Sequence, residues 1–96
     1  MTHAVAAIFG ALSRGYRYGF DIMEATGLPS GTVYPALRRM ERRGLVVGTW
    51  EDDVDPSVEG RPRRRFYALT ADGHARVAEA EARLADVRRL LDRSTP

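Results

Sequence analysis

Two groups of residues in this chain have the types and spacing to engage phosphate oxygens. The first is Ser30, Gly31, Thr32 and Tyr34, followed by Arg38, Arg39 and Arg42; the second is the run Gly60-Arg61-Pro62-Arg63-Arg64-Arg65. Hydroxyls and unpaired amides at the start of a helix suit phosphate oxygens, and a guanidinium can grip either a phosphate or the acceptor edge of guanine. Four arginines in five residues make a phosphate-binding patch or an arm for the minor groove. Within that run Arg61 and Arg63 are assigned to DNA, whereas Arg65 shares a strand face with Tyr67 and Leu69 under period-two alternation and is at least partly structural. Each group also has a plainer reading: a solvated helix face with i, i+3 and i, i+4 charge pairs, and charges that discourage edge-to-edge strand pairing.

Catalytic chemistry has no comparable support. The only histidines, His3 and His74, are far apart in sequence, and the serines and carboxylates show no spacing that joins nucleophile, base and orienting group. The absence of cysteine excludes disulfides and thiolate metal sites. Neither an enzyme, a metal site nor a cofactor is expected.

Charge is distributed in blocks. Residues 1–50 carry +3, residues 51–59 carry −5, residues 60–65 carry +4 and the remainder is neutral, so the net +2 conceals local patches. All fifteen basic residues are arginine, which fits either GC-rich coding or a surface biased towards bidentate phosphate and guanine contacts. The acidic block would repel DNA if the tip of the wing lay on it, and is expected to point away or remain mobile. At 44% apolar and 29% charged, the 96 residues should pack one core, burying roughly 60–65% of the surface the unfolded chain exposes. The longest uncharged runs are 13 residues, short of the roughly 20 that a membrane span requires. No signal peptide is read at residues 4–12, and the expected location is the cytoplasm.

These groups must be positioned by a small set of elements. Residues 3–13 are apolar on nearly every side, which predicts a helix covered by its own domain on one face and by a partner chain on another. A short second helix is expected over residues 18–25, stopped by Gly27. After the extended Leu28-Pro29, Ser30 stands as an N-cap for a third helix over 31–43, whose Val33, Ala36, Leu37 and Met40 form an apolar stripe. Pro35 is awkward there, because it removes a backbone donor near the first turn. Residues 45–50 and 63–69 read as the strands of a hairpin with a long loop. Thr70 then caps a final helix to about residue 92, in which Val77, Ala80, Leu84, Val87 and Leu91 repeat at 3, 4, 3, 4 as a heptad seam. Such a helix, about 33 Å long, exceeds what its own domain needs.

Three helices, a hairpin and a long helix give an α+β, mostly helical fold: a winged helix-turn-helix over residues 1–70 with a C-terminal dimerisation helix over 71–96 packed on the same domain. The segments Ser30-Gly31-Thr32-Val33-Tyr34-Pro35-Ala36-Leu37 and Gly60-Arg61-Pro62-Arg63-Arg64-Arg65-Phe66-Tyr67-Ala68-Leu69-Thr70, with Tyr18-Gly19-Phe20-Asp21-Ile22, resemble the PadR family of bacterial transcriptional regulators over about residues 4–75. The Gly-Thr-Val-Tyr-Pro core is the most specific part of that resemblance and accounts for Pro35. The resemblance implies a ligand-responsive repressor that acts as a homodimer and often answers to a small aromatic or drug-like molecule. Two departures stand out: the wing loop is strongly acidic, and one helix alone follows the wing.

Geometry extends these expectations. The partners are double-stranded DNA and a second copy of the chain, with Ile8, Phe9, Val77, Ala80, Leu84, Val87 and Leu91 forming the dimer contact. Two third helices related by a two-fold axis fit an inverted-repeat operator. An effector, if there is one, is expected to be a small planar aromatic molecule between the subunits, against Phe9, Ala11 and Val87, residues that also read as plain interface core. A winged helix used only for protein contacts is the competing reading, favoured by the acidic block at 51–59.

Overall fold

The computed structural model describes residues 2–51, 60 and 63–93. The chain forms α1 (His3–Ser13), α2 (Gly19–Thr26), α3 (Ser30–Arg42), β1 (Val46–Trp50), β2 (Arg65–Leu69) and α4 (Ala71–Arg93), the order of a winged helix-turn-helix. Thr2 caps α1 by accepting the Val5 amide at 3.2 Å, and Gly27, at φ 74°, ends α2 in the left-handed region that glycine adopts without strain. The connection into α3 is tied by Thr26, whose Oγ1 donates to the Ile22 carbonyl at 2.7 Å and accepts the Leu28 amide at 3.2 Å.

The start of α3 differs from expectation. Ser30 is the first helical residue and not the cap; Pro29, held extended at φ −75° and ψ 161°, takes the cap position, and its carbonyl accepts from the Thr32 and Val33 amides at 2.9 and 3.0 Å. The physical reason is the proline ring, which fixes a backbone angle already compatible with the cap and leaves a carbonyl as the only group the position requires. Among the described residues no side chain makes a cap hydrogen bond at the start of α3. The helix continues through Pro35, which removes the amide that would have bonded the Gly31 carbonyl.

Ile8, Phe9, Ala11 and Leu12 of α1 meet Ile22 of α2 and Val33, Ala36, Leu37 and Met40 of α3, with Leu45, Val46 and Tyr67 closing the core beneath the wing. β1 and β2 pair antiparallel from Val46 opposite Leu69 to Trp50 opposite Arg65. The free side of β2 is joined to the segment before α2: the Tyr67 amide donates to the Arg17 carbonyl at 2.8 Å, and Tyr18 forms a bridge with Phe66. The wing is thereby attached at its base to the N-terminus of α2.

Thr70 performs the expected capping of α4, accepting the Gly73 amide at 3.0 Å while its hydroxyl donates to the Gly44 carbonyl at 2.6 Å. Only the first turns of α4 rest on the domain. Val77 packs against the core, whereas Leu84, Val87, Leu90 and Leu91 are exposed, and the molecule measures 64 Å along its long axis against 25 and 20 Å across. No helix among the described residues is long and apolar enough to cross a membrane.

Gly73 is a close-approach position. A Cβ there would overlap the Leu45 carbonyl oxygen and touch Leu69 Cδ2 at 3.1 Å. In an ordinary exposed helix Gly→Ala stabilises by up to about 1 kcal/mol; here Gly73→Ala is expected to destabilise by about 1–3 kcal/mol, because α4 must lift from the backbone after α3. Urea unfolding measures the sign.

Candidate nucleic-acid interface

The buried stripe of α3 defines which residues face outward. At about 100° per residue, Gly31, Pro35, Arg38 and Arg42 lie within about 60° of one another, opposite Val33, Ala36, Leu37 and Met40. Ser30, Gly31, Arg38, Arg39 and Arg42 are exposed and Thr32 is half-buried. Arg39 lies on the flank with Thr32 and Arg43, about 100° round from Arg38.

Tyr34 occupies the opposite flank, and its position is set by a glycine. A Cβ on Gly19 would fall 2.5 Å from Tyr34 Cε1 and 2.6 Å from its hydroxyl oxygen, so the ring lies directly on the first residue of α2. The phenol therefore bridges α3 and the N-terminus of α2 instead of projecting freely from α3. Around it Tyr18, Phe20, Trp50, Arg64, Arg65 and Tyr67 line one hollow of about 390 Å³. Phe20 and Trp50 are 62% and 51% exposed, large aromatic faces beside cationic groups.

The wing arginines divide in function by their partners. Arg65 crosses over Gly48, placing its guanidinium 5.5 Å from the Trp50 ring centre and 5.9 Å from that of Tyr67, and its Nη2 pairs with Glu41 Oε2 at 2.5 Å. It fastens the wing to α3, in keeping with the structural role expected of it. Together with Arg38, Glu41, Arg42 and Tyr67 it lines an open groove of about 460 Å³ along α3. Burial pushes the Tyr67 phenol above the ordinary tyrosine range, with Arg65 opposing, so it stays a neutral donor in mildly alkaline buffer. Arg64 donates from Nε to Glu51 Oε1 at 2.9 Å and lies 4.2 Å above the Tyr18 ring. Arg63 is exposed. The assignment of Arg61, and the expectation that the acidic loop points away, fall outside the described residues at 61 and 52–59.

Glu51 is a correction. Grouped by charge with the acidic block, it is instead buried at the end of β1, its amide donating to the Arg64 carbonyl at 3.0 Å and its carboxylate paired with the Arg64 side chain. Sequence reading also missed Gly19, Phe20, Glu41 and Trp50 as parts of this surface, and it gave Arg64 no role distinct from the rest of its run. The Tyr-Gly pair at 18–19 was a usable signal, since a glycine opening a helix beside a tyrosine-bearing helix invites ring-on-backbone packing.

The expected dimer residues separate into two sets. Ile8 is wholly buried in its own domain, so it has no surface to offer a second chain, and Phe9 is nearly so. Periodicity showed α1 covered on several sides, but α2, α3 and the wing supply most of that cover. Val77 and Ala80 are half-buried against α1, while Leu84 and Val87 are 50% and 49% exposed and Leu91 is exposed as well. The expected effector walls do not meet in one chain. Phe9 lines a recess of about 250 Å³ with Ala6, Gly10, Val77, Ala80 and Leu84, Ala11 lines a different hollow, and Val87 lies beyond both.

Comparison with known proteins accords with this geometry. A family model described as the transcriptional regulator PadR-like family matches residues 8–79. Among solved structures, a PadR family transcription regulator from Clostridium difficile R20291 superposes with a TM-score of 0.79 at 22% identity, covering 96% of this chain and 97% of that one. A PadR-like transcription factor from Bacteroides fragilis gives 0.77 at 23% identity over 93% and 86% of the two chains. MepR, a transcription regulator of the Staphylococcus aureus multidrug efflux pump MepA, gives 0.80 at 22% identity, covering all of this chain and 67% of that one. At these identities the superpositions show the winged-helix fold. A search of curated proteins finds no match.

Proposed function

Because the chain belongs to the PadR-like family of transcriptional regulators, DNA-binding proteins and not enzymes, we propose that it is a cytoplasmic homodimeric repressor that binds an inverted-repeat operator. The observation that supports this reading most directly is the outward face of α3, where Gly31, Arg38 and Arg42 stand opposite the core stripe and Arg65 of the wing lines one groove with Arg38 and Arg42. Residues 1–70 hold DNA: Ser30, Gly31, Thr32 and Tyr34 fix the helix on the backbone, Arg39, Arg61 and Arg63 add phosphate contacts, and Arg38 and Arg42 enter the major groove. Residues 71–96 hold the second copy through Val77, Ala80, Leu84, Val87 and Leu91. Exposed leucines and valines at heptad spacing on a helix extending past its domain are what a two-fold mate would cover.

Response to a small planar aromatic effector belongs to the same reading. The recess at Phe9, Val77 and Leu84 is, at about 250 Å³, below the roughly 300–1,000 Å³ of ordinary ligand sites, so a second subunit must complete it. Selection of bound sequences from a random duplex pool tests the proposal. An inverted repeat with half-sites about one helical turn, or a multiple, apart is expected; a direct repeat or a single unpaired site overturns the two-fold arrangement.

A further inference from the structure

We propose that Glu51 is a positioning residue for DNA binding: its buried carboxylate holds the Arg64 guanidinium against Tyr18, so that the remaining guanidinium N–H groups face the strand on which α3 docks. The inference rests on the DNA-binding reading above and concerns residues that reading does not use. Glu51 is the buried charged residue among those described, and its pairing with Arg64 is lopsided, the carboxylate side chain being 10% exposed and the arginine 50%. A carboxylate taken out of water is tolerated only when paired and hydrogen-bonded. Here it is paired so that the negative end is inside and the positive end is at the surface.

The consequence follows from arginine geometry. A guanidinium has five N–H donors in a rigid plane, and anchoring Nε to Glu51 fixes the direction of the four on the terminal nitrogens. The plane is set on its other side by Tyr18, 4.2 Å below, which meets Phe66 edge-on at 6.4 Å and is itself the residue preceding α2. Glu51, Arg64, Tyr18 and Phe66 thus form one stack running from the wing to the start of α2. Arg64 lines the same hollow as Phe20 and Tyr34, so the stack delivers a fixed cation beside the phenol that bridges α2 and α3.

This assignment predicts a sign that simple charge counting does not. Removing a negative charge next to a polyanion should tighten binding; Glu51→Gln should instead weaken it, because Arg64 is released from its direction. The test measures anisotropy of a labelled mixed-sequence duplex of about 30 bp, three helical turns, titrated with full-length chain over a series of salt concentrations. Glu51→Gln is expected to bind roughly tenfold more weakly, the scale of losing one charge-assisted hydrogen bond, with the salt slope reduced by about one unit per subunit. Arg64→Lys keeps the charge and the buried carboxylate but lacks the planar fork, so it should lose about as much. The double variant should bind no more weakly than either single one, since all three remove one interaction.

Binding by Glu51→Gln that equals or exceeds wild type overturns the proposal, as do losses that multiply in the double variant. Should Glu51→Gln fail to fold, Arg64→Lys decides alone, wild-type affinity being the overturning result. A wild-type chain with no salt-dependent binding would reject the DNA-binding reading itself, which distinguishes the two failures.

Discussion

If the proposed homodimer forms through α4, Leu84→Asp is expected to leave the chain monomeric at micromolar concentration with its domain folded. Leu84 stands at the rim of the recess between α1 and α4 and is 50% exposed, so its own domain covers only part of it. Fully burying a leucine contributes about 1.5–3 kcal/mol, and two-fold symmetry counts each residue twice. The half still open to a partner therefore corresponds to about 1.5–3 kcal/mol per dimer, before the cost of placing two carboxylates in an apolar seam. That cost brings the total to several kcal/mol, and every 1.4 kcal/mol is about tenfold in Kd. Sedimentation equilibrium reads the outcome, and a variant that sediments as a dimer at micromolar concentration removes α4 from the interface. The monomeric variant should still unfold cooperatively, because Leu84 lies outside the buried core, but at a temperature that no longer rises with chain concentration.

The same distinction, between what a residue does for its own domain and what it offers a second chain, marks where sequence reading stopped. Local periodicity located all four helices and both strands to within two residues, because an apolar stripe such as Val33, Ala36, Leu37 and Met40 is set by neighbours three and four apart. Turn chemistry was legible for the same reason: Gly27 and Gly44, at φ 74° and 73°, close α2 and α3, and Thr70 opens α4. The ambiguity of α1 was of another kind. Apolar residues on several faces declare that a helix is covered, without declaring by what, and Ile8 was assigned to a partner although the domain's own core takes it.

Long-range charge pairing was the other illegible layer. Arg65 meets Glu41 across 24 positions and Arg64 meets Glu51 across 13. Composition alone does not tell, within the run Arg63-Arg64-Arg65, which arginine meets Glu41 and which meets Glu51. Alternation along β2 did identify Arg65 as structural, since it faces the same way as the buried Tyr67. Glu51 was misread because composition groups it with an acidic block, whereas its position at the end of β1 places it opposite Arg64 in the extended ladder.

Arg38→Ala is expected to relax base preference at one position in each half-site, at a cost of about 1–3 kcal/mol there, while Arg39→Ala weakens all sequences about equally. The distinction comes from the two arginines' places on α3. Arg38 shares the central outward strip with Gly31, Pro35 and Arg42, and a helix in the major groove presents that strip to base edges. The small Gly31 one turn before Pro35, with no described atom outside its own stretch of helix within 4 Å of where its Cβ would be, leaves the backbone able to approach closely. Arg38 also lines the groove whose far wall is Arg65 and Tyr67, so its side chain leaves α3 beside a fixed surface. With α3 in the major groove, Arg39, about 100° away on the flank with Thr32, would face the groove wall, where phosphates lie. Its loss should lower the salt slope by about one unit per subunit and leave the preferred sequence unchanged. Affinities for the selected operator and its single-base variants, at one salt concentration, measure both effects. If Arg38→Ala shifts every sequence equally, Arg38 is a phosphate ligand, and the guanine-reading role passes to Arg42, one turn further along the same strip.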